Sequence, residues 1–250
     1  MYKTVADTVS FVVQMETLTA DLQNDELVLF AIPSYTALES ACKSADSHLR
    51  IGAQNMCWED EGQFTGEISP LMLKELGVRI VEIGHSERRH IMGETDEQEN
   101  AKVLAALKHG FTALLCIGET QAQKEMGVGD EVLSMQLKIG LHGVNPSDLD
   151  RVWIAYEPVW AIGVSGIPAT PDYAQRRHIR IKSVLEELFG AQADKVPVLY
   201  GGSVNLGNCL NFAELPEVDG LFVGRAAWQA ERFNELIRAV LPVFKKKNDR

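Results

Sequence analysis

The sequence is short of positive charge. Its 24 Lys and Arg stand against 35 Asp and Glu, giving a net charge of −11 and a pI of ≈ 5.0. A chain with that balance repels polyanions, which argues against a nucleic-acid or anionic-membrane surface. The basic tail Lys245-Lys246-Lys247 is short and reads as a solvated end. Any phosphate the chain holds must therefore be gripped by backbone N–H groups and a few local cations. Cysteine is sparse too: Cys42, Cys57, Cys116 and Cys209 form no CxxC pair and no zinc spacing. No signal-peptide pattern and no run of about 18 apolar residues is present, so these cysteines read as free thiols of a reducing, cytoplasmic compartment. Cys116, following Leu114-Leu115, reads as a packing residue rather than a nucleophile. Without a ligand cluster, no metal and no organic cofactor is expected. Nor is there a Pro/Ser-rich linker, a low-complexity tract or a repeat, so residues 1–250 read as one domain.

What is present is alternation. Short β-branched runs fall at 27–32, 51–54, 79–83, 113–117, 152–156, 198–200 and 220–223. Helix-period segments lie between them, clearest at 97–109, 130–140 and 171–189. The last carries strong start signals, with Thr170 as N-cap, Pro171 at the first helical position and Asp172 in the first turn. A further helix is expected over 4–22, ahead of every strand. Strand–helix alternation over this length means a parallel α/β architecture, either doubly wound or a (β/α)8 barrel. The strands number seven where a closed barrel needs eight.

The stretch Val152-Trp153-Ile154-Ala155-Tyr156-Glu157-Pro158 carries the most chemistry. An apolar run ends in one carboxylate with a proline behind it, and proline stops the hydrogen-bond ladder. Glu157 therefore sits at the end of a buried strand, ahead of a Gly-containing loop, where a general base under a lid would sit. Three more segments place chemistry at strand ends: Gly84-His85-Ser86-Glu87-Arg88-Arg89, Tyr200-Gly201-Gly202-Ser203-Val204, and Val223-Gly224-Arg225.

Together with Ala155–Gly163, Gly52-Ala53-Gln54-Asn55 and Phe64-Thr65-Gly66-Glu67, these segments resemble the signature set of the triosephosphate isomerase family. The likeness runs in order along nearly the whole chain. It implies the (β/α)8 TIM barrel and a cofactor-independent aldose–ketose isomerase working through an enediolate. It also implies Glu157 as base and His85 as the electrophile that polarises the carbonyl. Phosphate would be held by the N–H groups of Gly163, Ser203, Gly224 and Arg225, where glycine permits close approach and helix starts favour anions. Ser86, Glu87 and Glu94 would support the histidine, and Arg88 and Arg89 would make structural ion pairs. The family is homodimeric, with the 63–67 loop, Thr65 near its tip, inserted beside the partner's active site.

Three departures qualify the likeness. The family's first strand, with its electrophilic Lys, aligns ahead of Met1-Tyr2-Lys3-Thr4, so the chain as written is expected to lack both and to be poorly folded and nearly inactive; Lys3 reads as an exposed helix-start residue. The lid, Ala161-Ile162-Gly163-Val164-Ser165-Gly166-Ile167-Pro168-Ala169, is one residue longer than usual and has Ile-Pro at its closing hinge. Arg225 stands where the family has a second Gly. The leading expectation is interconversion of dihydroxyacetone phosphate and glyceraldehyde 3-phosphate, as in glycolysis and gluconeogenesis. The alternatives are an L-erythrulose 1-phosphate isomerase of erythritol-type catabolism, which the longer lid favours, and an inactive phosphate-binding relative.

Overall fold

The computed structural model describes residues 2–22, 27–46, 48–163 and 166–248. Seven parallel strands form one sheet in chain order: β1 (Leu29–Ala31), β2 (Leu49–Ala53), β3 (Ile80–Ile83), β4 (Thr112–Ile117), β5 (Val152–Tyr156), β6 (Val198–Tyr200) and β7 (Gly220–Leu221). One or more helices follow each strand before the next. All four residues of β3 and all five of β5 are buried, as expected where both faces of a parallel sheet are covered.

Two cores show how the sheet curls. Ile80, Leu114, Cys116, Trp153, Ala155 and Leu199 pack together on the inner face, separately from the larger apolar layer between sheet and helices. Phe30 of β1 and Phe222 just past β7 stack with ring centroids 6.0 Å apart, so the first and last strands face each other across the interior. This is the wall of a (β/α)8 barrel, whose centre is filled by side chains. Among the described residues no strand pairs with the outer edges of β1 and β7. A cavity of ≈ 780 Å³ opens at the C-terminal end of the strands and continues between those edges to Val240 and Phe244 of the final helix. No described helix is long and apolar enough to cross a membrane.

The helix expected at 171–189 is found as Pro171–Phe189, with the Thr170 side chain accepting from the Tyr173 N–H. The helix expected over 4–22 is shorter, Val5–Leu18. The N–H and hydroxyl of Thr19 both donate to the Met15 carbonyl, which closes the last turn. β7 stops at Leu221 rather than at 223: with no partner on its outer side, only the Leu199 and Tyr200 register holds it. Lys3 is half-buried rather than exposed, its Nζ lying 5.1 Å from the Phe11 ring centroid.

Arg89 ties the wall to the rim. Its guanidinium donates to the carbonyls of Gly84 (2.8 Å) and Cys116 (2.9 Å) and pairs with Asp96 and Glu99, all largely out of solvent. Removing it strands two carboxylates in the interior. Arg89→Met is therefore expected to lower the unfolding free energy by about 3–5 kcal/mol, as read from urea denaturation.

Candidate active site

The C-terminal ends of β3, β5, β6 and β7 deliver His85, Glu157, Ser203, Gly224 and Arg225 to the mouth of one cavity. Each arrives through a turn the sequence dictates. After β3, Gly84 adopts φ +74°, and a Cβ there would lie 2.5 Å from Glu99 and 2.9 Å from Arg89. Only glycine makes that turn. It sets His85 as the N-cap of the short helix Ser86–His90. There Nδ1 accepts from the Glu87 N–H at 3.3 Å, which places the ring proton on Nε2. Nε2 faces the Glu157 carboxylate at 3.6 Å.

Glu157 ends β5, its N–H donating to the Ile117 carbonyl at 2.8 Å, and Pro158 ends the ladder. A Cβ on Gly118 would overlap the Glu157 carbonyl, and one on Gly201 would come within 2.8 Å of its Cγ, so glycines just past the ends of the two neighbouring strands make room for it. The carboxyl is buried, and burial pushes its pKa up to about 8. The Cys116 thiol and the Ser86 N–H donate to it and pull the other way. Its Oε2 has no hydrogen-bond partner among the described residues. Cys116 is thus more than packing, although burial holds its own thiol well above the usual range and away from thiolate chemistry.

The remaining expected residues separate into those at the site and those behind it. Ser86 contributes its N–H to Glu157, whereas Glu87 is exposed, with its carboxylate 3.9 Å from His85 Nδ1. Glu94 does not touch His85. It pairs with Lys102 and Arg88, and its N–H donates to the Arg88 carbonyl, so it braces the Ser86–His90 turn. The Ser203 carbonyl accepts from Asn208 Nδ2 at 2.8 Å, fixing the Gly-Gly-Ser loop. The Arg225 guanidinium turns toward the loop after β5 and donates to the Gly163 carbonyl at 2.6 Å. Val164 and Ser165, at the tip of the expected lid, lie outside the described residues. No group of three or more His, Cys, Asp or Glu among the described residues could hold a metal.

With this geometry in view, comparison with known proteins is decisive. The family model for triosephosphate isomerase matches residues 1–240. The chain belongs to the triosephosphate isomerase family. It is an isomerase on the (β/α)8 plan, as the strand-end motifs implied. Among curated relatives, it is 47% identical over 243 residues to the L-erythrulose-1-phosphate isomerase of Rhizobium etli, covering 96% of this chain and 89% of the relative. The proteins of that name from Rhizobium meliloti and Mesorhizobium japonicum are 45% and 44% identical, covering 96% and 95% of this chain and 93% and 92% of theirs.

One residue of the site escaped the sequence reading. Glu82, within the run Ile80-Val81-Glu82-Ile83, is buried and lines the cavity with His85 and Glu157. Burial pushes its carboxyl up to about 7, opposed by His85 and reinforced by Glu157. The signal was available: a single charge inside an apolar strand, the same pattern that singled out Glu157.

Both carboxyls hold protons in the folded protein at pH values where an unfolded chain, near 4.5, has released them. The native state then binds more protons than the unfolded state, so stability falls as pH rises toward about 8. His178, buried and held near 3, contributes no slope above about pH 6.5. Glu99, which burial likewise pushes up to about 8, adds to the same slope. The melting temperature is expected to fall between about pH 6.5 and 8, and a Glu82→Gln/Glu157→Gln double variant to lose part of that slope in differential scanning fluorimetry, the part due to Glu99 remaining.

Proposed function

We propose that the protein isomerises a phosphorylated four-carbon ketose, L-erythrulose 1-phosphate, by proton transfer through an enediolate. The observation that carries the chemistry is the pairing at one rim of a buried carboxyl of raised proton affinity with an imidazole whose N–H faces it. The substrate comes from the relatives at 44–47% identity, all named for that sugar phosphate. That name displaces the triose expectation as the leading reading.

In this reading Glu157 takes the proton from the carbon beside the carbonyl, and His85 Nε2–H donates to the carbonyl oxygen as negative charge gathers there. The proton returns on the neighbouring carbon, moving the carbonyl along the chain. At 3.6 Å the two groups sit side by side, so Glu157 must leave the Cys116 thiol and the Ser86 N–H to reach its carbon. A base with a pKa near 8 is suited to that exchange at neutral pH, neither fully protonated nor too weak. The N–H groups of Gly163, Ser203, Gly224 and Arg225 hold the phosphate, supplying the donors that the acidic surface does not.

A homodimer belongs to the same reading. The 63–67 loop is exposed throughout, and Phe64, Leu71, Met72, Ile91 and Met92 present large apolar side chains to solvent, the kind of surface a second copy would cover. Sedimentation velocity is expected to give twice the chain mass.

Steady-state kinetics with L-erythrulose 1-phosphate and dihydroxyacetone phosphate tests the assignment. The tetrulose is expected to be preferred at least tenfold in kcat/KM. Glu157→Gln is expected to lower kcat by about 10³-fold or more and His85→Gln by about 10²-fold, with KM changed little. A triose preference returns the reading to the glycolytic reaction. Binding of either sugar phosphate without turnover marks a binding protein instead.

A further inference from the structure

We propose that Tyr173 is a positioning residue for Glu157: its hydroxyl ties the far end of the loop after β5 to the same carboxylate oxygen that holds the near end. This rests on Glu157 being the base, as read above, and adds to that reading a residue that does not line the cavity. The near end is pinned to the segment that follows β4. The Glu157 N–H donates to the Ile117 carbonyl at 2.8 Å and the Val159 N–H to the Glu119 carbonyl at 3.1 Å. Side chains repeat the tie. Glu119 is fully buried and accepts from the Tyr156 hydroxyl, 3.1 Å from each of its oxygens, and from Trp160 Nε1 at 3.0 Å. Residues 156–160, with Glu157 among them, are thus placed by whatever holds Glu119. β4 and β5 are paired along both edges, so this tie belongs to the interior of the sheet.

Tyr173 stands at the other end of the loop, in the first turn of the helix Pro171–Phe189. Its hydroxyl donates to Glu119 Oε1 at 2.8 Å, the shortest of the three bonds to that atom. Trp160 and Tyr173, on opposite sides of the loop, therefore meet on one oxygen, and their rings pack edge to face with centroids 5.4 Å apart. Lys124 Nζ lies 3.3 Å from the Trp160 centroid and 5.2 Å from that of Tyr173, so one cation spans both rings. The phenol is itself held. Arg177, one helical turn on, donates to its oxygen at 3.1 Å and pairs with Asp130. A hydroxyl that accepts on that side has its single proton left for Glu119. Burial and the Glu119 carboxylate push the Tyr173 hydroxyl up to about 12, so it stays a donor across the neutral range. A hydrogen bond to a carboxylate is among the stronger ones, and without it Glu119 keeps side-chain donors from the near end alone. The base would then ride on a segment no longer fixed to the helix beyond the loop. A small displacement of a base costs rate more than it costs binding.

The test uses the full chain and the variants Tyr173→Phe and Trp160→Phe, alone and together. Tyr173→Phe keeps the ring and removes only the hydroxyl. On the sugar phosphate that the parent prefers, it is expected to lower kcat by about fivefold or more with KM within about twofold. Amide hydrogen exchange of the free protein, read by mass spectrometry, is expected to rise across the loop, at the Val159 and Ala161 N–H groups that donate to Glu119 and Pro158. Trp160→Phe is expected to raise it in return at the Tyr173 and Ala174 N–H groups that donate to Thr170. Because both donors meet on one oxygen, the double variant is expected to lose less in kcat than the product of the single losses. A lower melting temperature with kcat unchanged, exchange raised only at the substituted end, or single losses that multiply overturns the proposal. If Tyr173→Phe does not fold, the exchange of Trp160→Phe at residues 173 and 174 decides. The exchange arm needs no turnover. If the parent isomerises neither sugar, the functional reading fails, while exchange at Val159 and Ala161 still decides whether Tyr173 holds the segment that carries Glu157.

Discussion

Glu157 is buried at the end of β5 with one carboxylate oxygen unpartnered, and most of the rim can be derived from that placement. A carboxyl taken out of water holds its proton more tightly, which turns an ordinary acid into a base that works near neutrality. Keeping it there requires room and donors. Room comes from Gly118 and Gly201, whose missing side chains let the flanking strands close on Glu157. Donors come from Cys116 and the Ser86 N–H, enough to hold the carboxyl without satisfying it. The helix that offers the Ser86 N–H has His85 as its N-cap, so one short turn both restrains the Glu157 carboxyl and aims the imidazole. That turn is in turn held by Arg89, which binds the carbonyl before it and the carbonyl ending β4.

Much of this was legible in the sequence for a physical reason. A carboxylate followed by proline at the end of an apolar run, and a histidine after glycine at the end of another, are placed by backbone rules that act over a few residues. Glu82 was not read, although its signal was just as local. Set mid-strand between apolar neighbours, it passes for a tolerated exception until the cavity shows which way the strand faces. Cys116 was correctly read as buried, but its donation to Glu157 depends on the β4–β5 register and so on contacts forty residues apart. The Arg225 side chain was beyond sequence altogether, because its partner Gly163 is sixty-two residues away.

The stem of the loop after β5 is anchored at both ends. Glu119, fully buried, accepts from the Tyr156 hydroxyl, Trp160 Nε1 and the Tyr173 hydroxyl, and Lys124 Nζ sits 3.3 Å from the Trp160 ring centroid. These contacts fasten the first turn of the loop to β4, β5 and the helix that follows the loop. At the other end the Ile167 N–H returns to the Trp160 carbonyl and Pro168 restricts the backbone beyond it. Between these anchors Gly163 adopts φ +83° and its carbonyl accepts from the Arg225 guanidinium.

That arrangement bears on how a larger substrate is admitted. A loop hinged over many residues could widen the site as a whole, but here both ends are tied and the rim is fixed by β-strand register. In the proposed reading the phosphate end is set by the backbone donors of the Gly-Gly-Ser loop and of Gly224-Arg225, so extra substrate volume is not gained there.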